Sequence, residues 1–522
     1  MRKTVETSLG PIVGRIVNNI LIFKGVPYAA PPVGELRFAP PRPREPWVKP
    51  LEAFAFGPVA HQYFWKESLL THKPRHFTFS EDCLTLNVWA PADASPTTKY
   101  PVFVYIHGGG FAEGSASQPL YGRFASFAPE RVLYDGASFA EKGIVVVTIN
   151  YRLGVLGFLC SEETLKRHGS TGNWGFLDQI LALKWVRENI GSFGGDPAKV
   201  TVGGESAGAM LASALLLSPL AEGLFQRAIF QSGVLFGVSR IPIPKGSLEK
   251  ALALSASFFE FLGISDSPAG LKTLQEIDPR VLSRLSATSM DFRNLSPFAQ
   301  ALVFDGEIIP RDPHARFKNG EFNRVDALLG FNLDEGSLFL PREANASLLE
   351  TILLCFLGPE GTRAFRDRFP ANAKNPPYER VRQAIAFAMF SAGAKRFADL
   401  VSQYAKVFMY RFNFATIPGR MMDLGAHHGA ELFFVFGSFP FAGTLWGAGT
   451  KKLSEFTQSR WSNFIKYGDP NPPRLAEGHE ERWPEYDRKG ARAMTLDRES
   501  KAAELPQKDD LDFMADIFWG EI

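Results

Sequence analysis

Ser206 lies in the run Gly204-Glu205-Ser206-Ala207-Gly208, between the strand-like Val200-Thr201-Val202 and the helix-forming stretch Met210 to Leu217. A serine hydroxyl is a poor nucleophile until a base takes its proton and backbone dipoles meet the oxyanion it creates. A strained turn from strand to helix exposes the hydroxyl to both, and flanking glycines relieve the crowding of that turn. Where such a turn carries the nucleophile, the chain order is serine, then acid, then histidine. Of the nine histidines, His427, His428 and His479 follow Ser206 far enough along the chain, whereas His314 precedes the best acid candidates. His479 sits in the charged run Glu477 to Arg482 and is expected at the surface. His427 and His428 follow the strand-like Val407 to Phe412, and only one of two adjacent side chains can serve as the base. Asp334 and Glu335 follow the strand-like Ala327 to Phe331, where a buried carboxylate would orient an imidazole and stabilise its cation. The residue pattern does not choose between members of either pair.

Oxyanion donors must already be in place when the carbonyl is attacked. His107-Gly108-Gly109-Gly110-Phe111 follows the strand-like Val102 to Ile106, the placement of a glycine-rich oxyanion loop, and the N–H of Ala207 adds a further donor. Acyl transfer by these groups requires no metal and no cofactor.

The elements that must hold these residues read as a large α/β architecture. Apolar strand-like runs at Leu84 to Trp89, Val102 to Ile106, Ile144 to Ile149, Val200 to Val202, Ala228 to Gln231, Ala327 to Phe331 and Val407 to Phe412 alternate with helical patterns. That alternation predicts a mostly parallel central sheet flanked by helices. The first forty residues alternate polar and apolar positions and predict short antiparallel strands, followed by a proline-rich stretch from Pro27 to Pro50. A helix is predicted at Phe176 to Asn189, with Leu177, Ile180, Leu181 and Trp185 on one face and a stop at Gly191. Stretches at about 244–294 and 342–398 read as helical insertions over the sheet's upper edge, within one domain spanning 1–522.

Composition narrows the function classes. The balance of 57 basic and 55 acidic residues gives a net charge of +2, and no long basic run with interleaved aromatics is present, so nucleic acid is not an expected partner. The N-terminus carries no signal-type stretch and no run of about 18 apolar residues follows. The expectation is therefore a protein without a transmembrane segment, cytoplasmic as written, although a trimmed secreted chain would look the same. Cys83, Cys160 and Cys355 are too few and too scattered for a disulfide framework or a zinc site. Some of the 46 phenylalanines are expected to line an apolar pocket.

Further motifs run in order through the chain: Phe23-Lys24-Gly25-Val26-Pro27-Tyr28-Ala29-Ala30-Pro31-Pro32, Ser80-Glu81-Asp82-Cys83-Leu84-Thr85-Leu86-Asn87-Val88-Trp89, Asn150-Tyr151-Arg152, Gly172-Asn173-Trp174-Gly175 and the stretch 189–197. With the loop at 107–111, the Ser206 motif and Asp334-Glu335-Gly336-Ser337, this set resembles the type B carboxylesterase family, which includes the cholinesterases. The resemblance implies an α/β-hydrolase fold and hydrolysis of a small-molecule carboxylic ester through an acyl-enzyme. It implies Ser206 as nucleophile, Glu335 as acid and His428 as base, with the oxyanion held by Gly109, Gly110 and Ala207. It also implies structural ion pairs of Arg37 with Glu81 and Arg152 with Asp178.

Three departures from the family pattern bear on substrate and assembly. Ala60 stands where many members carry the cysteine that pairs with the one at Cys83, so that disulfide is absent, as suits a reducing compartment, and the loop at 61–81 is freed of it. Lys73 falls near the place of the choline-stacking tryptophan, and Leu338 stands where an aromatic is common, which weakens recognition of a choline cation. The C-terminus near Trp519 shows neither an assembly helix nor a membrane anchor, and a monomer is expected. Phe111, Phe298 and Phe339, with Leu338 and Glu205, are the candidate pocket residues, suited to apolar short- to medium-chain esters. A lipase acting on long-chain esters is the alternative within hydrolases. A non-catalytic adhesion protein on the same fold is disfavoured by the complete serine, acid and histidine set.

Overall fold

The structure is a computed structural model that describes residues 1–63, 77–120, 131–236, 246–285, 298, 301–340, 343–372, 376–439, 446–473 and 481–520. Lys73, His479 and most of the 61–81 loop lie outside the described residues.

Fifteen strands are described: β1 (Arg2–Thr7), β2 (Gly10–Val17), β3 (Ile20–Pro27), β4 (Leu51–Glu52), β5 (Thr85–Pro91), β6 (Tyr100–Ile106), β7 (Val145–Ile149), β8 (Gly195–Glu205), β9 (Arg227–Gln231), β10 (Gly246–Ser247), β11 (Val303–Phe304), β12 (Asp326–Asn332), β13 (Val407–Phe412), β14 (Arg492–Leu496) and β15 (Lys501–Glu504). Thirteen of them form one sheet in the order β1-β2-β3-β5-β7-β6-β8-β9-β12-β13-β14-β15, with β4 beside β2, while β10 and β11 pair separately. From β7 to β14 every neighbouring pair is parallel. This is the α/β-hydrolase fold.

Side-chain alternation explains why the central strands are apolar throughout. In β6, Val102, Val104 and Ile106 pack into the core on one face of the sheet, and Phe103 and Tyr105 into the core on the other. β12 and β13 divide in the same way, with Leu329 and Met409 on the first face and Leu328 and Phe408 on the second. A strand covered on both faces has no polar side to show.

The structure changes four details of the sequence reading. The run at Leu84 to Trp89, grouped above with the parallel strands, forms β5 and is antiparallel to both β3 and β7. An apolar strand buried on both faces reads the same in either direction, so its residues do not encode orientation. The predicted helix spans Trp174–Asn189 but does not stop at Gly191: a 3₁₀ turn, Ile190–Phe193, follows it, and the left-handed stop is Gly194 at φ 80°. The extra turn seats Phe193 edge-on against Phe23 at 4.8 Å, fully buried. Of the residues assigned to one face of that helix, Ile180 and Trp185 are buried, whereas Leu177 and Leu181 are only partly so. The helix instead turns Phe176, Asp178 and Leu183 inward, because Asp178 must reach Arg152. Finally, β14 and β15 were not anticipated; both are short, and charged residues sit on the outermost strand, as edge strands commonly require.

The stretches expected as helical insertions contain the helices Leu248–Phe261, Pro268–Glu276 and Pro279–Leu285, then Ala346–Arg368, Pro377–Ala386 and Ala392–Val401. A π-helical turn, Phe387–Ser391, joins the last two.

Candidate active site

The carboxyl ends of β6, β8, β9, β12 and β13 lie side by side in that order, and the candidate residues leave the sheet there. β8 ends at Glu205, and the helix Ala207–Leu215 starts one residue later. Ser206 bridges them at φ 56°, ψ −125°, a conformation that costs a residue with a side chain about 1–3 kcal/mol. Its backbone is pinned: Ser206 N–H donates to Gln231 O at 2.9 Å, and Ser206 O accepts from Met210 N–H at 3.0 Å. The helix crosses the sheet too closely for side chains at the flanking positions. A Cβ on Gly208 would lie 2.2 Å from Ile106 O, and one on Gly204 would lie 2.5 Å from the carbonyl carbon of Gly208.

Two adjacent turns bring a histidine and a carboxylate together. His428 Nδ1 donates to Glu335 Oε2 at 2.6 Å, and both residues are buried. Glu335 Oε1 accepts from Asn332 N–H, also at 2.6 Å, which fixes the carboxylate plane. Asp334 faces elsewhere: it accepts from Ala426 N–H at 2.8 Å and pairs with Arg382 at 3.2 Å. His427 turns its Nδ1 to His428 O at 2.9 Å. The two open pairs therefore differ by contact, since Glu335 and His428 touch each other while Asp334 and His427 hold the loops. His428 Nε2 lies 3.1 Å from Glu205 Oε1, near enough to feel its charge, yet the contact is not aligned as a hydrogen bond and Nε2 has no partner among the described residues.

A second layer was missed by sequence reasoning. Glu431 accepts from Asn332 Nδ2 at 2.6 Å and from Gln231 Nε2 at 3.0 Å, and so joins the Ser206 turn to the Glu335 turn. Phe390, in the π-helical turn, stacks on the His428 ring at 4.4 Å between centroids, and Phe339 meets the same ring at 5.2 Å. No local signal marks Phe390, because its neighbours Phe387 and Met389 are equally apolar; π turns inside helices do, however, recur at functional sites.

The loop after β6 adopts left-handed conformations at Gly109 (φ 110°), Gly110 (φ 59°) and Phe111 (φ 63°). Phe111 is buried and meets Phe158 edge-on at 5.5 Å. Leu338 is partly buried against the core. Phe298 packs on Phe258 and Phe261 at 5.3 and 5.0 Å, in the cluster built by the 248–285 helices rather than against His428.

Electrostatics concentrate on His428. Burial pushes its imidazole down, but the carboxylates of Glu205 and Glu335 outweigh burial and raise it to about 9. Burial raises Glu205 above the usual carboxylate range, His428 pulls against that, and Glu431 and Glu335 reinforce it. Burial likewise raises Glu431. By contrast His107, buried with Nδ1 against Gly108 O, is lowered to about 4 and stays neutral. Among the described residues no group of three or more His, Cys, Asp or Glu side chains could hold a metal ion, and no helix is long and apolar enough to cross a membrane.

The model of the carboxylesterase family matches residues 1–514. The chain belongs to the carboxylesterase family. It is 34% identical to para-nitrobenzyl esterase of Bacillus subtilis over 516 residues, 97% of each chain, and 32% identical to carboxylesterase 1F of the mouse, covering 93% of this chain and 88% of that one. A solved PNB esterase superposes with a TM-score of 0.80 at 33% identity, covering 98% of this chain and all of the other. A carboxylesterase of Geobacillus stearothermophilus gives 0.79 at 33% identity over the same shares. The chain is accordingly an enzyme of carboxylic ester hydrolysis. Both structural ion pairs implied by the family pattern are present, Arg37 with Glu81 at 2.6 Å and Arg152 with Asp178 at 2.8 Å. Cys83, Cys160 and Cys355 are all free thiols.

Proposed function

We propose that this carboxylesterase hydrolyses apolar short- to medium-chain esters through a Ser206-His428-Glu335 triad and an acyl-enzyme. The observation that carries the reading is the buried 2.6 Å contact of His428 with Glu335, which leaves Nε2 unpartnered beside Glu205, the residue next to Ser206. Nε2 takes the Ser206 Oγ proton as Oγ bonds to the ester carbonyl carbon, and the carbonyl π electrons move onto oxygen. Gly109 and Gly110, in their left-handed conformations, and Ala207, at the first helical position where N–H groups have no intrahelical acceptor, offer donors to that oxyanion. As the tetrahedral adduct collapses, the alcohol leaves with the proton held on Nε2. Water then attacks the acyl-enzyme by the same steps, releasing the acid and restoring Ser206. Glu335, through its contact with Nδ1, orients the imidazole and stabilises the imidazolium. The rings of Phe339 and Phe390 around His428 exclude water and suit an apolar acyl group.

The test is Ser206→Ala with a soluble chromogenic ester of a short-chain acid. Loss of kcat by at least about 10³-fold is expected, with the fold intact by circular dichroism. Activity close to that of the unaltered enzyme would sink the assignment. A fluorophosphonate adduct mapped to Ser206 by mass spectrometry, and abolished in Ser206→Ala, gives the same answer without turnover.

A further inference from the structure

One acidic side chain beside the oxyanion loop has no part in the triad chemistry. Glu113 N–H donates to Gly109 O at 3.0 Å, closing a turn that stacks Glu113 over Gly109. The Cγ of Glu113 lies 3.2 Å from where a Cβ on Gly109 would sit. The next residue, Gly114, is clamped by Gln62, whose Nε2 donates to Gly114 O at 3.0 Å and whose Oε1 accepts Gly114 N–H at 2.8 Å. The backbone carrying Glu113 is thus fixed on both sides. Its carboxylate, however, makes no hydrogen bond or ion pair among the described residues. The residue is only partly covered, yet it stands in a recess deep enough that burial pushes its carboxyl up to about 7. Gly109, Gly110, Ala112, Glu113 and Gly114 are the partly exposed members of this loop, and Glu113 is the acidic one among them, packed directly against Gly109.

An unpaired carboxylate in a recess loses hydration without compensation, and a donor that enters the recess recovers that loss. A charged donor recovers the most. We propose that Glu113 is a specificity-determining residue, whose carboxylate accepts a hydrogen bond from a protonated amine carried by the ester substrate. The assignment rests on the reading of Gly109 as an oxyanion donor, since only then does the reacting ester lie beside Glu113. It departs from the expectation of a wholly apolar substrate, because an apolar acyl group against Phe339 and Phe390 is compatible with an aminated alcohol portion over the loop. Recognition here is by a carboxylate rather than by an aromatic face.

The experiment compares 4-(aminomethyl)phenyl acetate with its neutral isostere 4-ethylphenyl acetate at about pH 8, where the amine is protonated and the Glu113 carboxyl largely ionised. In the unaltered enzyme kcat/KM is expected to favour the ammonium ester. In Glu113→Gln that preference is expected to fall about tenfold or more, while kcat/KM for the neutral ester stays within about twofold. An unchanged preference, or a parallel loss on both esters that marks a merely structural role beside Gly109, would overturn the proposal. Should Glu113→Gln fold poorly, the unaltered enzyme still decides. Benzylammonium is expected to compete with the neutral ester at several-fold lower concentration than benzyl alcohol, and equal inhibition constants would refute it. Hydrolysis of the neutral ester reports on the triad alone, so failure of the triad reading and failure of this one give different results.

Discussion

His428 is held between two carboxylates of different use. Glu335 accepts the hydrogen bond of Nδ1–H in an aligned contact, whereas Glu205 sits 3.1 Å from Nε2 without alignment and acts through its charge. The base form of His428 must be neutral, and the carboxylates hold its pKa near 9, so kcat/KM should climb as pH rises toward that value. Removing one negative charge favours the neutral imidazole. Glu205→Gln is therefore expected to move the acid limb of the pH profile of kcat/KM down by about 1 to 2 pH units, and an unmoved limb would show that Glu205 does not set the base. Glu335→Ala should lower kcat by about 10³- to 10⁴-fold. Asp334→Asn should leave kcat within about threefold while costing about 1 kcal/mol of stability through Arg382 and Ala426, so equal kcat losses in the two variants would contradict the contacts described. Ser206 and the glycine loop were legible because their chemistry demands particular backbones, and glycine records a backbone demand in the sequence. The choice of Glu335 over Asp334 was not legible from pattern alone, since adjacent carboxylates differ only in which way a turn points them. The family resemblance proposed Glu335, and the contact with His428 supports it.

At the level of elements, the site depends on how the helix Trp174–Asn189 is fastened to the strands. Arg152 follows β7 and reaches Asp178 through Nε at 2.9 Å and Nη2 at 2.8 Å, while its own N–H donates to the same carboxylate at 3.0 Å and Nη1 donates to Ala39 O at 2.8 Å. Both side chains are buried, at 4% and 0% exposure, so removing one partner strands the other charge away from water. Asp178→Ala is expected to cost about 3–5 kcal/mol, read as a lower urea midpoint, and a loss below about 1 kcal/mol would show that the pair is not the fastening it looks to be. The same contact explains why amphipathic spacing misplaced this helix: an inward aspartate rotates the buried face away from Leu177 and Leu181. Helix and strand types were readable from periodicity over most of the sheet. The orientation of β5, the extra turn to Gly194 and the edge strands β14 and β15 were not, because each is set by partners outside its own sequence segment, as Phe23 is for the turn at Phe193.

Across the whole molecule, residues from His107 to Glu431 meet at one sheet edge because chain order and strand order differ, β6 lying between β7 and β8. That edge handles a small ester, and the surface around it bears on whether the ester is met in solution or at a lipid interface. A protein that works on an emulsion needs a contiguous apolar surface of several hundred Å². Among the described residues, the exposed large apolar side chains stand on many elements: Val17 on β2, Val33 and Val48 in the proline-rich stretch, Leu220 after the nucleophile helix, Phe261, Val281 and Leu354 on three different inserted helices, Leu333 after β12, Ile417 and Met421 on one short helix after β13, and Tyr467 at the end of the helix Thr450–Tyr467, besides the terminal Met1. A net charge of +2, with opposite charges nearly balanced, also gives little attraction to an anionic lipid surface. Hydrolysis is therefore expected to saturate with soluble short-chain triacylglycerol below its solubility limit, to show no jump when droplets form, and to proceed more slowly on emulsified long-chain triacylglycerol. A pH-stat titration across the solubility limit checks this. A rise in rate at the onset of the emulsion would assign the enzyme to interfacial substrates and would require an apolar surface formed by rearrangement of the inserted helices.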